Sequence, residues 1–347
     1  MNNNIITLFN TVCLFKKQTN NTILYGQCLH KVVSCEIPNS KKNVDVVFCK
    51  EKVFCQITRK KRPSIDFFIK IKGKISHIDI IKFTLKCGNN NKNKFIECRD
   101  LALKFPLETH ELEINKNSAI IVTMCKDYGH RLDEWIQYNL KLGFSGIVIF
   151  DNDKNTSNTL NEPTENCIKS SSIQEVCKKY KEKVLCIEFD YSPLGINHWN
   201  TIQRTIFNIS INGLKSLCNH IALIDPDEFI FIPEDPENNI ERFLLNYKSI
   251  RIKSNLLTNK NNDDIINNNI LNIAKYIGED KYTKVILHTS TLKENAFYFT
   301  PHKLEGVDEI LEKEKIIHYH CWLNNRYHYT PTMKKIEFLE DFYKNKF

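Results

Sequence analysis

Residues 119–153 read AIIVTMCKDYGHRLDEWIQYNLKLGFSGIVIFDND, and their grammar decides the fold class. Ala119 to Cys125 is an apolar run of strand length with a single polar residue, Thr123, as expected of a strand buried on both faces. Leu132, Trp135, Ile136 and Leu140 then recur at helical spacing, so His130 to Leu142 is predicted to be a helix that Gly143 stops. GIVIF (146–150) is a second strand, and it runs into Asp151-Asn152-Asp153. A strand, a helix and a strand within this length imply a parallel βαβ unit, because parallel strands need a crossover.

The same alternation continues downstream. A short helix near Ile173 to Tyr180 precedes the strand VLCIEF (184–189), and a long helix from Asn200 to Leu217 precedes IALI (221–224), which leads directly into Asp225-Pro226-Asp227-Glu228. Asp235 as cap and Pro236 at the first helical position open a further helix, with Ile240, Phe243, Leu244 and Tyr247 on one face. Leu256 to Asn272 is asparagine-rich and reads as a loop or insertion. Beyond it, KVILHTS, FYFTPHKL and KIIHYHCW each carry a histidine, and a terminal helix is predicted from about Thr332 to Tyr343.

Upstream the pattern differs. TILYGQCL, KVVSCEI, VDVVFC, VFCQIT, DFFIKI, IIKFTLKC and FIECRDLALKF are β-branched and aromatic runs parted by polar turns, the signature of an antiparallel β domain, sandwich-like or barrel-like. The expected organisation is therefore a β-rich domain over 1–115 and an α/β domain with a mainly parallel, Rossmann-like sheet over 118–347. If that composition shift is a domain boundary, the chain from about Glu113 onward folds by itself.

The 347 residues are 41% hydrophobic and 26% charged, apolar enough to bury two cores, which excludes disorder throughout. No apolar run reaches the length of a membrane-spanning helix, so no membrane span is expected. The net charge of +8 comes from lysines spread along the chain, which gives no reason to expect nucleic acid as a partner. Arg59-Lys60-Lys61-Arg62 before Pro63 reads as a solvated turn. Thirteen cysteines without a CxxC pair fit buried free thiols, and with them a cytoplasmic location. The sequon Asn208-Ile-Ser210 lies within a predicted helix, and the weight of Asn, Lys and Ile is that of A+T-rich coding.

Ligands of open α/β sheets bind at the carboxyl ends of the strands, and here those ends carry Lys126-Asp127, Asp151-Asn152-Asp153 and Asp225-Pro226-Asp227. IALI before and FIFI after bury the last of these turns. Buried carboxylates require a counter-charge, and oxygen ligands suit Mn2+ or Mg2+.

Three strings carry a family resemblance. CKDYGHRLDEWIQYNLKLGFSGIVIFDND, LIDPDEFIFI and IIHYHCW resemble, in order and spacing, the opening K-N-E with L-x-E-W-I-x-Y-H, the D-x-D-E-F-I and the late H-Y of the glycosyltransferase family 92 group and its glycosyltransferase-2-like relatives. The resemblance spans about residues 118–327. It implies a glycosyltransferase A fold and transfer of a hexose, with inversion, from a nucleotide diphosphate sugar such as a UDP-sugar to an acceptor hydroxyl on a glycan or protein.

Carried over by position, Asp225 and Asp227 become ligands of the metal and the donor phosphates. Asp151, with Asp153 beside it, contacts the nucleoside, which the Lys126, Asp127 and Tyr128 turn borders. Trp199 and Gln203 face the donor, and His302 or His318 completes the metal shell. An inverting transfer needs a base, for which Glu305 and Asp308 are the candidates, followed by Asp263, Asp264 or Glu228. Two departures stand out: K-N-E is Lys126-Asp127-Tyr128 here, and Trp322-Leu323 replaces an expected Lys-Ser. Taken singly, Trp135 reads as core, and either histidine reads as a packed residue. The competing functions are a catalytically inactive glycan- or partner-binding protein on the same fold and a nucleotidyltransferase. The second is disfavoured by a single glycine in Cys125 to Gly129.

Overall fold

A computed structural model of the protein describes residues 6–10, 21–28, 31–36, 44–48, 65–72, 81–87, 92–98, 112, 114–126, 128–153, 172–189, 199–233, 235, 237–258, 276–293, 297–298, 300–302, 310–311, 315–320 and 334–335. The chain forms two compact units. The first comprises Met1–Leu112, Phe189–Leu217 and Lys293–Phe299, and the second Glu113–Glu188, Cys218–Leu292 and Thr300–Phe347.

The first unit holds two antiparallel sheets. Strands β1 (Ile6–Asn10), β2 (Asn21–Cys28), β4 (Val44–Phe48) and β5 (Ile65–Lys72) make one, in the order β1-β2-β5-β4. Strands β3 (Lys31–Glu36), β6 (Ile81–Cys87) and β7 (Lys92–Cys98) make the other, in the order β3-β6-β7. The run VFCQIT lies outside the described residues.

The second unit is built on a ten-stranded mixed sheet. Strands β8 (Ala119–Cys125), β9 (Gly146–Asp151), β10 (Val184–Glu188) and β11 (His220–Leu223) are parallel neighbours in the order β10-β9-β8-β11. The sheet then continues with β14 (Tyr276–His288), antiparallel to β11, and with β13 (Ile250–Thr258), β16 (Ile317–His320) and β12 (Glu228–Phe231). Short strands β15 (Ile310–Leu311) and β17 (Lys334–Lys335) pair β13 and β14.

The crossover from β8 to β9 is helix α1 (Gly129–Lys141), whose Leu132, Trp135 and Ile136 are wholly buried against the sheet. Gly143 follows it at φ 101°, a left-handed conformation that glycine adopts without strain, and a Cβ there would come within 2.8 Å of Asn239. Helix α2 (Ile173–Lys178) opens on a reciprocal cap, in which the Ser172 hydroxyl accepts from the Glu175 amide and the Glu175 carboxylate accepts from the Ser172 amide.

Three expectations are corrected. Helix α3 (Trp199–Leu214), read as part of the α/β half, belongs to the first unit, where Arg204 pairs with Asp66 of β5. The α/β grammar could not show this, because a crossover helix and a helix that packs on another unit share the same periodicity. Helix α4 (Ile240–Leu244) opens at Asn239, whose side chain accepts from the Arg242 amide. Asp235, instead of capping, accepts from the Glu237 and Asn239 amides and pairs with Arg242. Finally, Lys334–Lys335, placed in a terminal helix from the sequence, is a strand on β14.

Candidate functional site

The carboxyl ends of the parallel strands come together as the topology requires. Asp151 ends β9 in register with Cys125, the last residue of β8, and the Asn152 amide donates to the Cys125 carbonyl at 2.9 Å. Asp151 is buried and turns back on itself, its Oδ1 accepting from the Asp153 amide at 3.1 Å. On the other side of β8, β11 ends at Leu223 and hands over to Asp225-Pro226-Asp227 before β12 begins at Glu228. Asp151 and this acidic turn are two strands apart, about 10 Å by ordinary strand spacing.

Helix α1 holds the far side of the turn. Trp135 Nε1 donates to the Glu228 carbonyl at 2.8 Å, and the Tyr138 hydroxyl donates to the Ile230 carbonyl. Trp135 is therefore core, with its one polar atom spent on β12. β12 itself pairs antiparallel with β16, so Glu228 stands opposite His320 and Ile230 opposite His318.

The counter-charge within the turn is a side chain, Lys284 of β14. It is buried, with Nζ 2.7 Å from Asp225 Oδ2 and 2.9 Å from Glu228 Oε1. Glu228 Oε2 accepts from the Asp225 amide at 2.8 Å and lies 3.2 Å from His318 Nε2, while His318 Nδ1 is 2.8 Å from the Ser254 hydroxyl. A chain of groups thus runs from Asp225 through Lys284 and Glu228 to His318 and Ser254. Partial burial raises the Asp225 carboxyl from its ordinary value, against the pull of the Lys284 ammonium. Burial opposes the charge on Lys284, but Asp225 and Glu228 outweigh it and hold the ammonium above its ordinary value.

The two histidines differ. Both ring nitrogens of His318 face protein groups inside a fully buried site, so it serves the packing of Glu228. His302 is partly exposed, and its Nδ1 lies 2.8 Å from the Thr283 carbonyl, which leaves Nε2 as the nitrogen outside that bond. Burial and the nearby Lys284 ammonium lower the His302 pKa, which keeps the imidazole neutral. The Tyr282 ring, 42% exposed, lies 5.0 Å from the His302 ring. It sits where the β13–β14 register slips between Lys253 and Asn255, an irregularity of the kind that re-aims side chains.

Of the residues named from the sequence, Asp225 and His302 gather around Lys284 with Asp227 beside Asp225, and Asp151, Asp153 and Lys126 lie at the neighbouring strand ends. Trp199 and Gln203 belong to the first unit, whereas the turn belongs to the second. Asp127, Asp263, Asp264, Glu305 and Asp308 lie outside the described residues. Glu228 is no candidate base, because both its oxygens are engaged in the interior.

Sequence reasoning missed Lys284 and Ser254. A lysine ahead of VILH carries no signal until β14 is known to lie beside β11. The cation expected at the turn meets a set of groups already partly spent. Among the described residues no three His, Cys, Asp or Glu are grouped to hold a metal ion. Asp225, whose side chain is 31% exposed, and Asp227 are two hard oxygen donors of a kind that suits Mn2+ or Mg2+ when a ligand supplies further oxygens. No protein-family model matches the chain, and no curated protein matches it.

Proposed function

We propose that the protein is a glycosyltransferase of the glycosyltransferase A fold that moves a hexose from a nucleotide diphosphate sugar, a UDP-sugar in the first instance, to a hydroxyl acceptor with inversion. The observation that carries this reading is the strand order β10-β9-β8-β11 with carboxylates at the carboxyl ends of β9 and β11. Strand β8 has its next strand in sequence, β9, on one side and β11 on the other, so the crevice where successive crossovers diverge opens above β8, and ligands of such sheets bind there. The three resembling strings add to this, since they contribute α1, the acidic turn and β16, elements that touch one another.

In this reading Asp151 receives the nucleoside, with Lys126 at its border, and the turn receives the diphosphate. Lys284 and Glu228 keep the Asp225 backbone and carboxylate in place, so no reorganisation is needed when charge develops on the leaving group. A bound Mn2+ or Mg2+, held by Asp225 and Asp227, would supply positive charge to the leaving diphosphate. His302, neutral and with Nδ1 on a carbonyl, offers Nε2 as an acceptor at the edge of the turn. The base that takes the acceptor proton is sought at Glu305 and Asp308.

The test is a donor screen that reads released UDP from UDP-hexoses, with and without manganese, on the full chain. Turnover dependent on one donor supports the reading. Absence of release from every nucleotide sugar, together with absence of nucleotide binding, overturns it in favour of a binding protein.

A further inference from the structure

Lys284 gives the acidic turn a property that its carboxylates alone would not have. Resting on the nucleotide-sugar reading, we propose that Lys284 is a positioning residue that makes the turn retain a divalent cation only together with a nucleoside diphosphate, so that the two ligands bind cooperatively.

Asp225 and Glu228 flank one ammonium that is 2% exposed, at 2.7 and 2.9 Å, and Asp227 adds its negative charge beside Asp225. Lys284 lies within the thirteen-residue strand β14, opposite Ile252 of β13, so it cannot leave without breaking the sheet. It consumes one oxygen of Glu228, and the Asp225 amide donates to the other, which lies 3.2 Å from His318 Nε2.

A bare dication arriving at the turn is repelled by the fixed ammonium and finds Asp225 already shared with it. A bare diphosphate meets a turn that is still net anionic, with one ammonium among three carboxylates. When both arrive together, the diphosphate oxygens complete the coordination that the protein lacks, and the cation cancels the repulsion between diphosphate and carboxylates. Each ligand therefore raises the affinity for the other by the same factor.

The experiment follows the melting temperature of the full chain with MnCl2 alone, UDP alone and the two together, in wild type and in Lys284→Met. Wild type should be stabilised by the mixture and hardly by either component. Lys284→Met removes the ammonium that Asp225 and Glu228 share, and with it the repelling charge, so MnCl2 alone should now stabilise it, with binding at least about tenfold tighter than in wild type.

A merely structural role for Lys284 would lower the melting temperature without creating this response. A folded Lys284→Met that gains no response to MnCl2 overturns the inference, as does a wild type that responds to MnCl2 alone as strongly as to the mixture. Should the single variant fail to fold, Lys284→Met combined with Glu228→Gln removes the buried ammonium and its buried partner together. The same gain is expected there, and its absence counts against the inference equally. Failure of the underlying reading looks different: wild type is then indifferent to UDP with manganese, whereas the manganese-only arms contain no nucleotide and still report on Lys284.

Discussion

Asp227 and Glu228 are adjacent carboxylates with different tasks. Glu228 is held by Lys284 and the Asp225 amide and lies beside His318, whereas Asp227 belongs to the turn between β11 and β12. Asp227→Asn keeps the size of the side chain, so it should keep the fold, and it should lower turnover by about a hundredfold, the size of losing one electrostatic stabiliser. Full activity in this variant, measured as UDP release, would remove Asp227 from the site. His220, at the start of β11, has its ring edge-to-face with His288 and 3.3 Å from the Tyr247 carbonyl. Burial pushes its pKa down to about 4. The unfolded chain then takes up the proton first, so this stability is fully present above the unfolded value and is lost as the pH falls from about 6.5 towards 4, at a cost of up to roughly 3 kcal/mol. Urea midpoints across that range should fall in wild type and fall less in His220→Gln.

At the scale of elements, the join between α1 and β12 sets the position of the turn. Two side-chain donors of α1, Trp135 and Tyr138, serve consecutive outward carbonyls of β12, and both are buried. Removing either donor leaves a buried carbonyl without its partner, a cost of about 1–3 kcal/mol. Tyr138→Phe is the cleaner test, because the ring and its edge-on contact with Phe229 are kept. Chemical denaturation should show that loss, and UDP-sugar turnover should fall with it if β12 carries the acidic turn into place. Unchanged turnover in a destabilised variant would separate the join from the site.

At the scale of the molecule, the two units are not consecutive in the chain. The chain leaves the second unit after Glu188 and re-enters it at Cys218, and the segment between contributes α3 to the first unit. There the Arg204 guanidinium grips Asp66 at 2.6 and 3.0 Å in a buried fork, and the Tyr25 hydroxyl donates to the same carboxylate at 2.7 Å. Asn208 adds a reciprocal bond to the Tyr298 backbone within the same unit. Asp66→Ala should cost about 3–5 kcal/mol, because it strands a buried guanidinium, while Asp66→Leu with Arg204→Met should cost much less. By the same reasoning a chain that begins at residue 113 exposes Arg204 and the apolar face of α3, so it should aggregate. A soluble, cooperatively melting product of that truncation would contradict this.

Short-range chemistry was readable from residues alone. The strands 119–125 and 146–151, the helix between them and its stop at Gly143 follow from apolar spacing and one left-handed glycine, properties that adjacent residues carry. So does the placing of Asp151 and Asp225 at strand ends, since a strand's direction fixes which end is which. Other features needed the fold. Lys284 meets Asp225 across fifty-nine positions because β14 enters the sheet antiparallel beside β11, and strand neighbours distant in sequence leave no periodic trace. His318 and His302 look equivalent as letters, but burial and their partners separate them. Helix α3 has the amphipathic pattern of any packed helix, and only tertiary contacts, above all Asp66 with Arg204, decide which unit it completes. Local pattern determines what an element is, whereas charge pairing and burial across distant segments determine what it is for.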